Sequence, residues 1–131
     1  MPVSLEILNR PDDRDLADLQ KIYADYALPP VQSLSDWLDA QREAGHTLIA
    51  GRFNGALLAA LWLGPEGAIE HLSVRAVTRR RGTARQLLQL LQKHAEQLQV
   101  ARLTVTGRDD LAGLWQSSGF SQCDGGWHWA R

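Results

Sequence analysis

The chain has 131 residues, 44% of them hydrophobic and 22% charged, with a formal net charge of −1 and a pI near 6.4. That length and composition suit one globular domain over residues 1–131, and the order of the predicted elements gives it a mixed α/β layout. The charge balance argues against a general nucleic-acid binder, and the lone Cys123 excludes an intrachain disulfide and a cysteine-rich zinc framework.

The N-terminal residues lack a charged-then-apolar signal pattern, and no apolar stretch approaches the roughly 20 residues of a membrane span, so a cytoplasmic location is expected. Val3, Leu5 and Ile7 alternate with Ser4 and Glu6, which predicts a short first strand. Pro11-Asp12-Asp13 offers a turn and an N-cap. Leu16, Leu19, Tyr23 and Tyr26 follow at helical spacing, predicting a helix over 14–26 that Pro29-Pro30 stops. Ser33 or Ser35 caps a second short helix, with Leu34, Trp37 and Leu38 inward and its end near Gly45.

Residues 47–53 read as a strand, and Asn54-Gly55 is the strongest two-residue hairpin signal. The return strand, 56–63, is almost wholly apolar and is expected to be buried on both faces. After the Gly64–Gly67 turn comes a strand over 68–75. A helical face follows, through Ala84, Leu87, Leu88, Leu91, Ala95 and Leu98. Residues 102–106 alternate as another strand. Asp109 or Asp110 caps a short helix through Trp115, which Ser117-Ser118-Gly119 closes, and two short strands surround Asp124-Gly125-Gly126.

The densest chemistry lies between the 68–75 strand and the long helix. Five of the twelve arginines (Arg75, Arg79, Arg80, Arg81, Arg85) fall within eleven residues there, beside Gly82, Thr83 and Ala84. The first N–H groups of a helix have no internal partner, and the helix dipole favours negative charge at that end. Gly82 lets a backbone approach closely, and arginines present planar donors to phosphate oxygens. Concentrated positive charge of this kind fits a small anionic ligand better than a long polyanion.

The element order, with a turn of the form Arg/Gln-x-x-Gly-x-Gly/Ala (Arg79, Gly82, Ala84), resembles the GNAT acetyltransferase superfamily. Leu72-Ser73-Val74-Arg75 before the turn and Gly119-Phe120 near the end support the likeness. The resemblance implies a mixed central sheet of about six to seven strands flanked by about four helices, and a site for acetyl-CoA. Its pyrophosphate would lie on the backbone N–H groups of 81–85, with Arg79 and Arg80 beside them. Its pantetheine arm would pair with the strand edge at Leu72 and Val74. The stretches 18–23, 52–54, 57–60, 77–82 and 125–127 resemble the narrower PanZ (PanM) family, whose Val-Thr-Arg-Arg-Arg-Gly run is the most specific. That family binds acetyl-CoA and associates with the precursor of aspartate 1-decarboxylase, promoting its self-cleavage and restraining the mature enzyme. On the same ground Arg52 and Asn54, which flank the hairpin turn, are implied partner contacts. Here Ala84 stands in place of a second glycine, and the 29–46 segment is longer than in enteric members.

Acetyl transfer needs a base for the amine, donors for the oxyanion and an acid for the departing thiolate. In many superfamily members that acid is a tyrosine four residues before Gly-Phe. This chain has Trp115 there, and an indole N–H has no useful acidity. Glu70 is the candidate base, acting through water, and strand alternation is expected to put it on the side of Leu72 and Val74 with His71 opposite. No histidine spacing indicates a metal. A true N-acetyltransferase acting on a small-molecule or protein amine is therefore the alternative to a regulator that holds acetyl-CoA as a signal.

Overall fold

Residues 2–26, 33–79 and 82–131 are described by a computed structural model. In chain order the elements are β1 (Ser4–Ile7), α1 (Asp13–Ile22), α2 (Leu34–Glu43), β2 (Thr47–Phe53), β3 (Ala56–Leu63), β4 (Ile69–Val74), α3 (Thr83–Lys93), β5 (Arg102–Thr106), α4 (Ala112–Ser117), β6 (Ser121–Cys123) and β7 (Gly126–Ala130). Short 3-10 turns cover Ala76–Thr78 and Asp109–Leu111. Seven strands and four helices match the expected content. The strands, however, form two antiparallel sheets, of order β1-β2-β3-β4 and β5-β7-β6.

Strand β3 shows why its apolar run is continuous. Leu57, Ala60 and Trp62 pack beneath α1 and α2 with Leu19, Ile22, Trp37 and Leu38. Ala59, Leu61 and Leu63 pack on the opposite face against Leu87, Leu88 and Leu91 of α3. Alternate side chains thus enter two apolar clusters, as expected of a strand covered on both sides. Each of those three α3 leucines is fully buried, which contributes about 2 kcal/mol apiece.

Local chemistry sets the helix ends. Asp12 accepts from the Asp15 N–H at 2.8 Å while the Asp15 carboxylate accepts from the Asp12 N–H at 3.3 Å, a capping box that opens α1. Ser33 caps α2. Helix α1 ends at Ile22, before Tyr26, because the chain tightens into three-residue turns that aim Tyr23 and Tyr26 at β4. Helix α3 ends at Lys93, and the chain turns through a left-handed Gln99 (φ 61°) that keeps Ala95 and Val100 buried. Neither Asp109 nor Asp110 caps the next helix. A 3-10 turn precedes it, and Asp110 pairs with Arg108.

Among the described residues the two sheets are joined by backbone hydrogen bonding at one place. Ala68 and Thr104 form an isolated parallel bridge, and the Thr104 N–H donates to the Gly67 carbonyl at 3.0 Å. Gly67 has φ +90°, and a Cβ there would lie 1.9 Å from the Arg102 carbonyl oxygen. Only glycine permits this approach. Beyond it β4 and β5 part, and β4 pairs with β3 alone. Gly67→Ala is expected to cost about 3 kcal/mol through backbone overlap and left-handed strain, read as a lowered denaturant midpoint.

Candidate functional site

The parting of β4 from β5 leaves the β4 edge from Leu72 to Val74 facing a cleft of about 750 Å³. Leu111 and Leu114, beside and within α4, form its opposite wall, and the start of α3 closes one end. An extended amide-bearing chain can lie along such an edge, because open strand donors and acceptors need partners.

At the head of α3, Gly82 is the N-cap residue, with φ 76°. It makes no side-chain cap bond, so the first-turn N–H groups face the cleft without the usual serine or aspartate acceptor. Thr83, 1% exposed, lines the same cleft, and its Oγ1 is buried without a hydrogen-bond partner among the described residues. A buried hydroxyl left unpaired is costly unless something else satisfies it. Left-handed glycine, uncapped helix start and orphaned hydroxyl together fit an anion such as a pyrophosphate. Ala84 and Arg85 also line this end of the cleft, as expected.

Arg79 lies on the cleft rim, where its guanidinium pairs with Asp25 at 3.1 Å, both side chains being exposed. It stands across the mouth and is not folded onto the α3 start. The expected roles of Arg80 and Arg81, like the Pro29-Pro30 stop, lie outside the described residues.

The β4 edge contains an irregularity that the alternation pattern did not anticipate. Ala60 pairs with Ser73 and Trp62 with Glu70, so two residues, His71 and Leu72, oppose Leu61 alone. His71 occupies left-handed space at φ 55°. The Tyr23 hydroxyl, on a buried ring, donates to the His71 carbonyl at 2.7 Å and holds this bulge. The extra residue moves Glu70 off the side expected for it and leaves His71 opposite Leu72 and Val74, as expected. Leu72 and Val74 point into the α3-side cluster, whereas Glu70 and His71 both lie on the α1/α2 side. Glu70 is exposed and sits between His46, at 3.4 Å, and His71, at 3.9 Å.

His71 packs edge-on against Trp37, and its Nδ1 lies 2.7 Å from the Tyr26 hydroxyl. Burial lowers its pKa from the ordinary 6.5, with His46 and Arg108 adding to the effect and Glu70 opposing it. Burial likewise raises the Tyr26 pKa, with Glu70 adding to the rise and Arg108 opposing it. Neutral imidazole and neutral phenol are the resting forms. Behind them lies a smaller cavity of about 280 Å³, bordered by Glu70, His71, Thr106 and Trp115. Tyr26, Leu72 and Arg108 border both cavities. Trp115 is buried, and its indole N–H donates to the Arg108 carbonyl at 3.0 Å. Neither Tyr26 nor Arg108 stood out in the sequence as a site residue. The one available signal was the Tyr23/Tyr26 pair, two phenols three residues apart at the end of a helical pattern.

The expected partner residues lie at the far end of β2. Arg52 donates to Asp15 at 2.9 Å, to the Gly55 carbonyl at 2.8 Å and to Glu6. The hydrogen bonds to Asp15 and then Glu6 raise its pKa. Its guanidinium therefore ties β1, the start of α1 and the hairpin together. Asn54 takes the left-handed turn position at φ 51° and is exposed at the tip.

Comparison with solved structures defines the class. The E. coli protein YhhK, solved in solution bound to coenzyme A, superposes with a TM-score of 0.72 at 29% identity, covering 100% of both chains. An acetyltransferase from Exiguobacterium sp. 255-15 gives a TM-score of 0.72 at 19% identity, covering 99% of this chain and 94% of the other, which shows the GNAT fold alone. Residues 2–128 match the acetyltransferase (GNAT) domain family PanZ, and the chain belongs to that family. The PanD regulatory factor of E. coli K12 is 32% identical, covering 97% of this chain and 98% of its own. That of Salmonella typhimurium LT2 is 32% identical, covering 87% of each chain.

A pH dependence of stability follows from His71. With its folded pKa lowered, the unfolded chain binds the proton more readily. The contribution is present above pH 6.5 and is lost as pH falls from there through the lowered folded value. Melting temperatures from pH 7.5 to about 5 should therefore fall more steeply for the native chain than for His71→Gln.

Proposed function

We propose that the protein binds acetyl-CoA in the cleft between β4 and α4. Loaded in this way, it promotes self-cleavage of the aspartate 1-decarboxylase precursor and regulates the mature enzyme. The observation that carries the ligand reading is the head of α3. There a left-handed Gly82 and the orphaned Thr83 Oγ1 open onto an unpaired strand edge. The coenzyme A bound to YhhK and the PanD regulatory role of the relatives support it.

In this reading the α3 start holds the pyrophosphate, with Thr83 satisfied by it and Arg85 beside it. Arg80 and Arg81 add charge from the same turn, and Arg79 joins them by exchanging Asp25 for phosphate. Leu72 and Val74 supply the backbone edge for the pantetheine. The acyl group then lies toward the bulge at His71. Asn54, exposed at the hairpin tip, serves as a contact for the decarboxylase, and Arg52 shapes the turn that presents it. The protein acts as one domain over residues 1–131, in the cytoplasm. No helix among the described residues is long and apolar enough to cross a membrane.

Two outcomes check this reading. Gly82→Asp introduces a Cβ at a left-handed position and a carboxylate in the anion cradle. Acetyl-CoA affinity by calorimetry should fall at least tenfold, about 1.4 kcal/mol, and unchanged affinity would place the ligand elsewhere. Mixed with the decarboxylase precursor of the same organism, the native protein should accelerate cleavage only when acetyl-CoA is present. Asn54→Ala should weaken that association without altering acetyl-CoA affinity. Cleavage indifferent to acetyl-CoA would overturn the regulatory role.

A further inference from the structure

The cleft carries positive charge at both of its ends, and an acetyl thioester explains only one of them. Arg79, Arg85 and the uncapped start of α3 stand at the Val74 end, where the pyrophosphate reading uses them. Arg108 lines the cleft at the other end. It borders the inner cavity together with Tyr26 and Leu72, whereas no residue of the α3 start does. An acetyl group offers a guanidinium no charge to meet.

The setting of Arg108 gives it a free donor edge. Its backbone takes left-handed space at φ 57° after β5, and the Trp115 indole N–H holds its carbonyl at 3.0 Å. Its Nε and Nη2 donate to Asp110 at 3.1 and 3.3 Å. A guanidinium has five N–H donors, so the Nη1/Nη2 edge stays available for a second carboxylate. Asp110 thereby fixes the plane of the group without using it up. Little charge opposes an anion here. Among the described residues that line the cleft, the carboxylate is Asp25, which Arg79 holds at 3.1 Å. Glu70 borders the inner cavity and not the cleft. Burial keeps the Tyr26 phenol neutral.

We propose that Arg108 recognises a carboxylate at the tip of the acyl group, so that the cleft prefers a short dicarboxylic acyl thioester of coenzyme A, such as malonyl or succinyl, over a neutral one of the same shape. This rests on the reading that the cleft holds a coenzyme A thioester, and it names the class of acyl group held best. The α3 start keeps the pyrophosphate, the thioester runs along the Leu72 edge, and the terminal carboxylate meets the planar fork of Arg108. Lysine would bring the same charge without that fork.

The test uses the full chain and calorimetry at fixed ionic strength. Malonyl-CoA is compared with isovaleryl-CoA, in which two methyl groups stand where the carboxylate oxygens were, and succinyl-CoA with isocaproyl-CoA. At least one carboxylated ester should bind about tenfold more tightly than its neutral counterpart. Arg108→Asn removes the guanidinium and suits left-handed backbone, and it should bring the two affinities within about twofold of each other. Arg108→Lys should fall between. Equal affinities in the native chain would overturn the inference. So would a preference that survives Arg108→Asn, because the charge at the α3 end would then explain it. A readout on the native chain needs no variant to fold: the Arg108 Nε–H resonance should shift with the preferred carboxylated ester and stay in place with its neutral counterpart. An unmoved resonance would likewise overturn the inference. Failure to bind any of these esters, or acetyl-CoA itself, would overturn the reading beneath, which distinguishes the two failures.

Discussion

The site depends on one contact between two backbones. The Thr104 N–H reaches the Gly67 carbonyl, and the absence of a side chain at Gly67 lets the Arg102 carbonyl pass where a Cβ would stand. This fastens the residues just before β4 to the middle of β5, with no bridge further along among the described residues. Right-handed strand twist then carries the free ends apart, and α4 and its preceding turn line the gap. A continuous ladder would have paired the β4 edge and left no place for an extended ligand. The opening is therefore made by stopping a sheet, and the α3 start supplies the charge at its end.

A second constraint is layered on the first. Where the β4 edge is unpaired, the strand also carries its bulge, and left-handed backbone at a histidine requires support. Tyr23 provides that support from the turn after α1, across 48 residues of sequence. The same turn delivers Tyr26 to the imidazole of the same residue. The α1/α2 layer thus covers an apolar sheet face and also holds the backbone and side chain of one residue beside the cleft.

Much of this arrangement was legible in the sequence because it is governed by local rules. Asn54-Gly55 marks the hairpin, Asp12 and Ser33 open their helices, and the apolar run of β3 announces burial on both faces. The left-handed Gly82 at the head of α3 was legible for the same reason, since a glycine before an amphipathic helix is a local signal. The facing of Glu70 was not. Period-two alternation holds only in a regular strand, and the inserted residue is stabilised by a tyrosine distant in sequence. The division of the sheet was equally hidden, because the close approach at Gly67 depends on Arg102. Arg52 illustrates a further limit. Its position beside the turn was plain, but its engagement with Asp15 and Glu6 appears only when α1 is laid against β1 and β2.

Trp115 has a consequence for descent. Its indole fills a site 1% exposed, lies tilted against Phe120 with ring centres 5.5 Å apart and holds the carbonyl of a left-handed Arg108. Replacing it by tyrosine would remove ring volume and release that carbonyl in one step. The intermediate sequence would be handicapped before any new hydroxyl became useful. Tryptophan packed here thus fixes this wall by its own burial, and change in the site's chemistry is channelled to the opposite wall of the cleft.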